Sequence, residues 1–80
     1  MSPLIEIDAR GHKCPVPSLK LRKAMAGQAP GVRYCLLASD PMARIDVPFL
    51  MQDIGGRVVA IEAVDDGLRI IVETGEGQPD

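Results

Sequence analysis

VRYCLLAS, residues 32–39, is the segment around which the predicted fold of this chain is built. Most of its side chains are apolar on both alternating sets, and it is rich in residues that favour β-structure. A strand with one solvent-facing set would alternate polar and apolar residues, so this pattern favours a strand at the centre of a sheet. Turn-forming pairs, Pro30-Gly31 before it and Asp40-Pro41 after it, limit its length.

The residues before this strand predict a shorter strand and a helix. Residues 4–8, LIEID, alternate polar and apolar side chains, which is typical of a strand, and Gly11 permits the turn that follows. From residue 15 to residue 26 the apolar side chains recur at helical spacing, and Gly27 ends the pattern. The face predicted to be buried consists of Pro17, Leu21, Ala24 and Met25.

A second helix is predicted after the central strand. Asp46 is its expected N-cap, with Val47 and Pro48 in the first turn, where the missing N–H of proline costs no hydrogen bond. Gly55-Gly56 ends this helix. The face predicted to be buried consists of Val47, Leu50, Met51 and Ile54.

Residues 57–64 and 68–73 predict two strands, and Asp65-Asp66-Gly67 between them is a common hairpin connection. The element order is therefore β-α-β-α-β-β. Right-handed crossovers place both helices on one face of a four-stranded mixed sheet, so the expected fold class is an α+β two-layer sandwich. Residues 1–73 form the predicted domain, and residues 74–80 form a flexible C-terminal tail.

The composition excludes several classes of protein. The chain has 80 residues, 46% of them hydrophobic and 25% charged, which is typical of one globular domain. Its net charge is -2 and it has no Trp, so direct binding to nucleic acid is not expected. No apolar run approaches the roughly 18 residues of a membrane helix, and no secretion signal is recognised, so a cytoplasmic location without a membrane partner is expected. Two cysteines in that compartment predict free thiols.

The segment Cys14-Pro15-Val16-Pro17 at the start of the first helix predicts a reactive thiol. Neither proline loses a hydrogen bond in a first helical turn, and their fixed φ angles stiffen that turn. The helix dipole and free N–H groups favour the thiolate, which is the form that attacks sulfane sulfur. Arg10, Lys13 and Lys20 are expected to add positive charge. The alternative, that Cys14 is only an N-cap residue, is weaker because Ser or Asp caps better.

Five segments carry a resemblance to one family: Asp8, residues 11–17 (GHKCPVP), Arg22-Lys23, Asp40-Pro41 and Asp46-Val47-Pro48. They resemble the motifs of the TusA (SirA-like) sulfur-carrier family over residues 4–73, which implies the same β-α-β-α-β-β sandwich. The resemblance implies that Cys14 receives sulfur as a persulfide from a cysteine desulfurase or a rhodanese and passes it to an acceptor protein. This makes the chain a sulfurtransferase in a loose sense, with no bound cofactor. The destination stays open among tRNA thiolation, molybdenum-cofactor and sulfur-oxidation pathways.

The resemblance also assigns roles to the neighbours of Cys14. Gly11, Pro15 and Pro17 belong to the motif that presents the cysteine rigidly. His12 stands where such proteins often have an aliphatic residue, and a solvated loop histidine is the simpler interpretation. The residues expected to contact partners or to tune the thiolate are Arg10, His12, Lys13, Val16, Lys20 and Lys23.

Two other functions remain open from the residues. One is a regulatory or protein-interaction module that docks through the basic face of the first helix, with Cys14 not reactive. The other is a thiol–disulfide protein that pairs Cys14 with Cys35, although Cys35 lies in an apolar strand and is predicted to be buried, inert and distant. Metal binding is not expected, because His12 and Cys14 supply only two ligands. A relay needs only weak, transient complexes, so a monomer is predicted.

Overall fold

The computed structural model describes residues 4–13 and 15–75, and its elements follow the predicted order. Within the described ranges, no helix is long and apolar enough to cross a membrane. The elements are β1 (Leu4–Asp8), α1 (Val16–Met25), β2 (Arg33–Ala38), α2 (Ala43–Ile54), β3 (Arg57–Val64) and β4 (Gly67–Glu73).

The four strands form one mixed sheet in the order β1-β2-β4-β3. The β1 strand pairs parallel with β2, and β4 pairs antiparallel with both β2 and β3. The central position predicted for the strand at residues 32–39 is therefore confirmed. Both helices pack beside each other against the sheet, which confirms the predicted α+β two-layer sandwich.

The β2 strand is buried on both of its faces. Tyr34 and Leu36 point into the core that the helices cover, and both are almost fully inaccessible. Cys35 alternates with them and so faces the other side of the sheet, yet it is 0% exposed. The Arg69 side chain lies over it, because its Nε donates a hydrogen bond to the Cys35 Sγ at 3.2 Å. The prediction of a buried Cys35 is confirmed, although it lies outside the helix-covered core.

The α1 helix buries most of the predicted face. Pro17, Leu21 and Met25 are buried, and Ala24 is half-buried. The Tyr34 hydroxyl donates a hydrogen bond to the Ala24 carbonyl at 3.0 Å, and burial raises the pKa of this tyrosine. Carbonyls in the last turn of a helix lack partners within the helix, so this contact joins the end of α1 to the central strand.

The α2 helix begins earlier than predicted. Asp46 lies in its first turn rather than at its N-cap, and Pro48 lies inside the helix. Asp40 organises the start instead, since its Oδ1 accepts the Met42 N–H at 2.9 Å and its carbonyl oxygen accepts the Ala43 N–H at 3.1 Å. The predicted N-cap at Asp46 is wrong because the turn at Asp40 already continues into a helix. Pro48 removes one hydrogen bond from its interior, and the helix nevertheless continues to Ile54.

The predicted tail begins with a residue that is firmly held. Thr74 is 2% exposed, and its Oγ1 accepts the Val32 N–H at 2.8 Å and donates to the Ala29 carbonyl at 2.6 Å. Its carbonyl oxygen also accepts the Gly31 N–H at 2.9 Å. Thr74 therefore extends the pairing beside β2 by one residue, and the domain boundary placed after residue 73 stays a prediction. Residues 76–80 of the predicted tail lie outside the described residues.

Glu73 is expected to make stability depend on pH. Hydrogen bonds from Arg33 and Arg57, at 2.9 and 3.0 Å, hold the pKa of its carboxyl below the ordinary value. A carboxyl with a lowered folded-state pKa stabilises the fold above its unfolded pKa of about 4.3, and this contribution is lost as the pH falls through the folded value. Glu73→Gln should therefore show a shallower fall of Tm below about pH 4.5.

Thermal unfolding between about pH 2 and pH 7 measures this difference. The matched control is Glu62→Gln, because the Glu62 Oε1 lies 4.0 Å from the Arg69 Nε, too far for a hydrogen bond. A Glu73→Gln protein whose Tm follows the wild-type pH curve would contradict the role given to this ion pair.

Candidate functional site

Two loops meet at one end of the sheet. Because β1 and β2 are parallel, their carboxyl ends lie at the same edge, where the chain enters α1 and α2. The Ala9 N–H donates to the Leu37 carbonyl at 2.8 Å, and the Gly11 N–H donates to the Ser39 Oγ at 2.8 Å. These bonds hold the loop after β1 against the loop after β2.

An open depression of about 370 Å³ lies between these loops. Cys14 lies outside the described residues, but the chain enters it from Lys13, which forms part of the wall. His12 and Lys13 belong to the predicted motif, whereas Ser39 and Asp40 come from a segment that begins 26 positions after Lys13. The lining residues are Gly11, His12, Lys13, Ser39 and Asp40.

Gly11 is required in this loop for its backbone conformation. Its φ angle is +86°, in the left-handed region that side chains disfavour, while a Cβ there would have no heavy atom within 4 Å. Glycine is therefore required at this position by the backbone conformation of the turn and not by lack of space for a side chain. The turn brings the Gly11 N–H to Ser39 and directs the next residues along the depression.

Arg10, which was expected to favour the Cys14 thiolate, forms ion pairs with two carboxylates. Its Nε and Nη2 donate to the two Asp8 carboxylate oxygens at 3.0 and 2.8 Å, and its Nη1 lies 3.7 Å from Asp66. This contact holds the pKa of Asp8 well below its usual range and raises that of Arg10. Two carboxylates therefore balance the charge of Arg10, whereas Lys13 and Lys20 form no ion pair within residues 4–13 and 15–75.

The start of α1 offers fewer free N–H groups than expected. Pro15 is the N-cap residue and Pro17 follows in the first turn, and neither carries an N–H. The Val16 N–H donates to the Lys13 carbonyl at 3.0 Å. The expectation of several free donors therefore fails for residues 15–17. Stiffness of this turn and the charge of nearby lysines remain as the means of favouring a thiolate.

The outer face of α1 carries the predicted polar surface. Val16, Lys20 and Lys23 are all exposed, as their spacing predicts. Lys20 also contributes to the lowered pKa of Asp8, so its positive field reaches the end of β1. The positive charge of this surface therefore acts on Asp8, the last residue of β1 before the loop that leads to Cys14.

Comparisons with known proteins identify the family. The family model described as "Sulfurtransferase TusA" matches residues 5–74. The chain belongs to the TusA family. A proposed sulfur carrier protein of Archaeoglobus fulgidus is 38% identical over 69 residues, which cover 85% of this chain and 90% of the relative. Another, from Thermotoga maritima, is 31% identical over 58 residues, covering 72% of this chain and 73% of the relative.

A solved structure supports the same assignment. The crystal structure of a SirA-like protein from Desulfitobacterium hafniense superimposes with a TM-score of 0.77 and 26% identity. The match covers 91% of this chain and 100% of that one. The predicted TusA/SirA-like resemblance is confirmed, and membership of this family supports a sulfur-carrier role for the chain.

Sequence patterns missed two features of this TusA-family site. Ser39 was not singled out, because its contact with Gly11 joins residues 28 positions apart. The exposed apolar side chains on the helices were also missed, although a helical projection of α2 would have placed them opposite its buried face. They are Leu19, Met42, Ile45 and Phe49.

Ser18→Ala is expected to raise the free energy of unfolding by about 1 kcal/mol. The Ser18 Oγ is buried and has no hydrogen-bond partner among the described residues, which is destabilising, and alanine also favours a helix. Chemical denaturation at one pH measures the change. Ser39→Ala is the matched control and should lower stability, because the Ser39 Oγ accepts the Gly11 N–H. A destabilised Ser18→Ala protein would show that this hydroxyl has a partner.

Proposed function

We propose that this chain is a sulfur carrier that takes sulfane sulfur onto Cys14 as a persulfide and relays it to an acceptor protein. The observation that carries the proposal is the family match over residues 5–74, which includes the segment GHKCPVP at the mouth of α1. The depression beside Lys13 and the stiff turn at Pro15 and Pro17 support it, because they suit a cysteine that must meet another protein.

The proposed transfer is balanced without an added oxidant. The Cys14 thiolate attacks the terminal sulfur of a donor persulfide, R–S–SH, and a new S–S bond forms. The S–S bond of the donor breaks, and the donor leaves as a thiolate. Delivery repeats the exchange with an acceptor thiolate, so Cys14 returns to its starting state. Lys13 and Lys20 support both steps by stabilising the anionic sulfur.

The proposed donors are a cysteine desulfurase or a rhodanese, and the proposed acceptor is a protein of a thiolation, molybdenum-cofactor or sulfur-oxidation pathway. Thiol chemistry of this kind fits a reducing compartment, which supports a place in the cytoplasm. The free, buried thiol of Cys35 is compatible with the same compartment.

Intact-protein mass spectrometry tests the proposal. The reduced chain is incubated with a cysteine desulfurase and cysteine, or with a rhodanese and thiosulfate, and its mass is measured before and after dithiothreitol. The expected result is an increase of about one sulfur atom that the reductant removes. An unchanged mass with both donors and with inorganic polysulfide would refute the persulfide carrier.

The exposed Lys20, Lys23 and Val16 also favour a second candidate function, an interaction module in which Cys14 does not react. The two functions differ in one result. A module keeps its activity in the cell after Cys14→Ser and loses it after charge reversal at Lys20 and Lys23, whereas a carrier loses its activity in both variants.

A further inference from the structure

The α2 helix presents an apolar stripe to solvent. Met42, Ile45 and Phe49 are 48%, 52% and 69% exposed, and they are spaced three and four residues apart. This spacing puts them on one side of the helix, opposite the face that packs on the sheet. Phe49 leaves most of its apolar area uncovered within the described fold, so the stripe is suited to contact with another molecule.

Leu19 extends this surface across the seam between the helices. The two helices run parallel, because each returns the chain between parallel strands. The Arg22 Nη1 lies 3.6 Å from the Asp53 Oδ2, which marks the seam. Leu19 and Phe49 lie one turn before these two residues, which puts Leu19 near the start of α1 and Phe49 near the middle of α2. We call Leu19, Met42, Ile45 and Phe49 the apolar stripe; Leu19 is 58% exposed.

Basic side chains outnumber acidic ones on the two helices that carry the apolar stripe. The helices contain four basic residues and only two acidic ones, whereas the whole chain has nine basic and eleven acidic residues. The Arg22–Asp53 pair neutralises one charge of each sign. Positive charge therefore dominates this face of an acidic protein. The charged residues left are three exposed basic ones, Lys20, Lys23 and Arg44, and one half-buried acidic one, Asp46.

We propose that the apolar stripe is the docking surface for the protein that donates sulfur to Cys14, and that the donor meets it with an apolar patch rimmed by acidic residues. The inference rests on the proposed function. Charge complementarity selects this occupant, because a second copy of the chain would bring lysines and Arg44 against like charges. The position also suits a donor, since Leu19, Met42 and Ile45 lie near the starts of the two helices, at the edge of the sheet where the chain passes through Lys13 and Pro15, the neighbours of Cys14 in sequence.

Phe49→Glu tests the inference through two separate loading assays. Inorganic polysulfide loads Cys14 without a protein surface, so its rate should stay within about twofold of wild type. Loading by the cysteine desulfurase with cysteine requires docking, so its rate at low donor concentration should fall about tenfold or more. Phe49→Leu keeps an apolar side chain and should lose much less. The matched control is Leu4→Glu, which puts the same charge at a 45% exposed apolar position at the start of β1.

The outcomes separate this inference from the proposed function. If polysulfide and desulfurase both load Phe49→Glu as they load wild type, the apolar stripe is not the docking surface, while the carrier proposal stands. If neither reagent loads wild type, both proposals fail. The other possible occupant of the stripe is a second copy of the chain, and sedimentation measures whether the wild type is a dimer. If it is a dimer that Phe49→Glu dissociates, and loading by the desulfurase is unchanged, the stripe binds a second copy and the inference is overturned.

Discussion

Cys14→Ser is expected to remove persulfide loading completely while leaving the fold intact. Serine is close to cysteine in size, but its hydroxyl does not ionise near neutral pH and cannot hold a sulfane sulfur. The measurement is the rate of sulfur incorporation by intact mass, with polysulfide and with the desulfurase. The free energy of unfolding should change by no more than about 0.5 kcal/mol, because the substitution replaces one side-chain atom by a slightly smaller one.

Cys35→Ser is the matched control for that experiment. Cys35 is fully buried, and Arg69 covers its sulfur at 3.2 Å, so a protein donor has no access to it in the folded chain. Loading should stay at one sulfur per chain with a rate near that of wild type. Loading that persists in Cys14→Ser and disappears in Cys35→Ser would move the carrier role to the buried cysteine and contradict our assignment.

Gly67→Ala is expected to destabilise the protein by about 3 kcal/mol. Gly67 begins β4 with a φ angle of +152°, and a Cβ there would overlap the Ala38 carbonyl oxygen and lie 2.9 Å from the Ser39 Cα. Both neighbours are backbone atoms at the end of the central strand, so they cannot move as a side chain can. Denaturant unfolding monitored by circular dichroism measures the loss.

Gly67→Ala should also disturb the depression between the two loops. Ser39 accepts the Gly11 N–H and lines the depression, so a shift of its backbone disturbs both loops. We expect slower loading of Gly67→Ala by the desulfurase even where the protein remains folded. Gly27→Ala is the control, because Gly27 also has a positive φ, +74°, but nothing lies within 4 Å of its Cβ. Equal losses in the two variants would show that strain, and not the overlap with β2, determines the effect.

The predicted elements that proved correct are those set by local periodicity. The apolar run at residues 32–39 became the inner strand β2, and the spacing of Pro17, Leu21 and Met25 marked the buried side of α1. The start of α2 was wrong because two Asp residues compete for its N-terminus. A local rule favours Asp46 before Pro48, whereas the structure begins the helix from Asp40.

Only the part of the candidate site that comes from one contiguous segment could be predicted from the sequence. The segment at residues 11–17 is contiguous, so its prolines, glycine and lysine could be recognised together. Ser39 and the stripe residue Phe49 lie far away in sequence, and nothing local indicates which loop or helix face adjoins the motif. The ion pair of Arg10 with Asp66 could not be predicted either, because it depends on where the connection between β3 and β4 lies in the fold.

The sequence by itself determined the order of elements and the buried faces of the helices, and it pointed to the segment around Cys14 that we propose to be reactive, because these depend on side-chain spacing and on the local chemistry of proline, glycine and cysteine. The tertiary structure decided which residues surround that segment. Parallel pairing of β1 with β2 brings Ser39 beside Gly11, and the packing of α1 beside α2 leaves Phe49 exposed. Contacts between distant residues depend on how the packed layers meet, and that information is not contained in any short stretch of the chain.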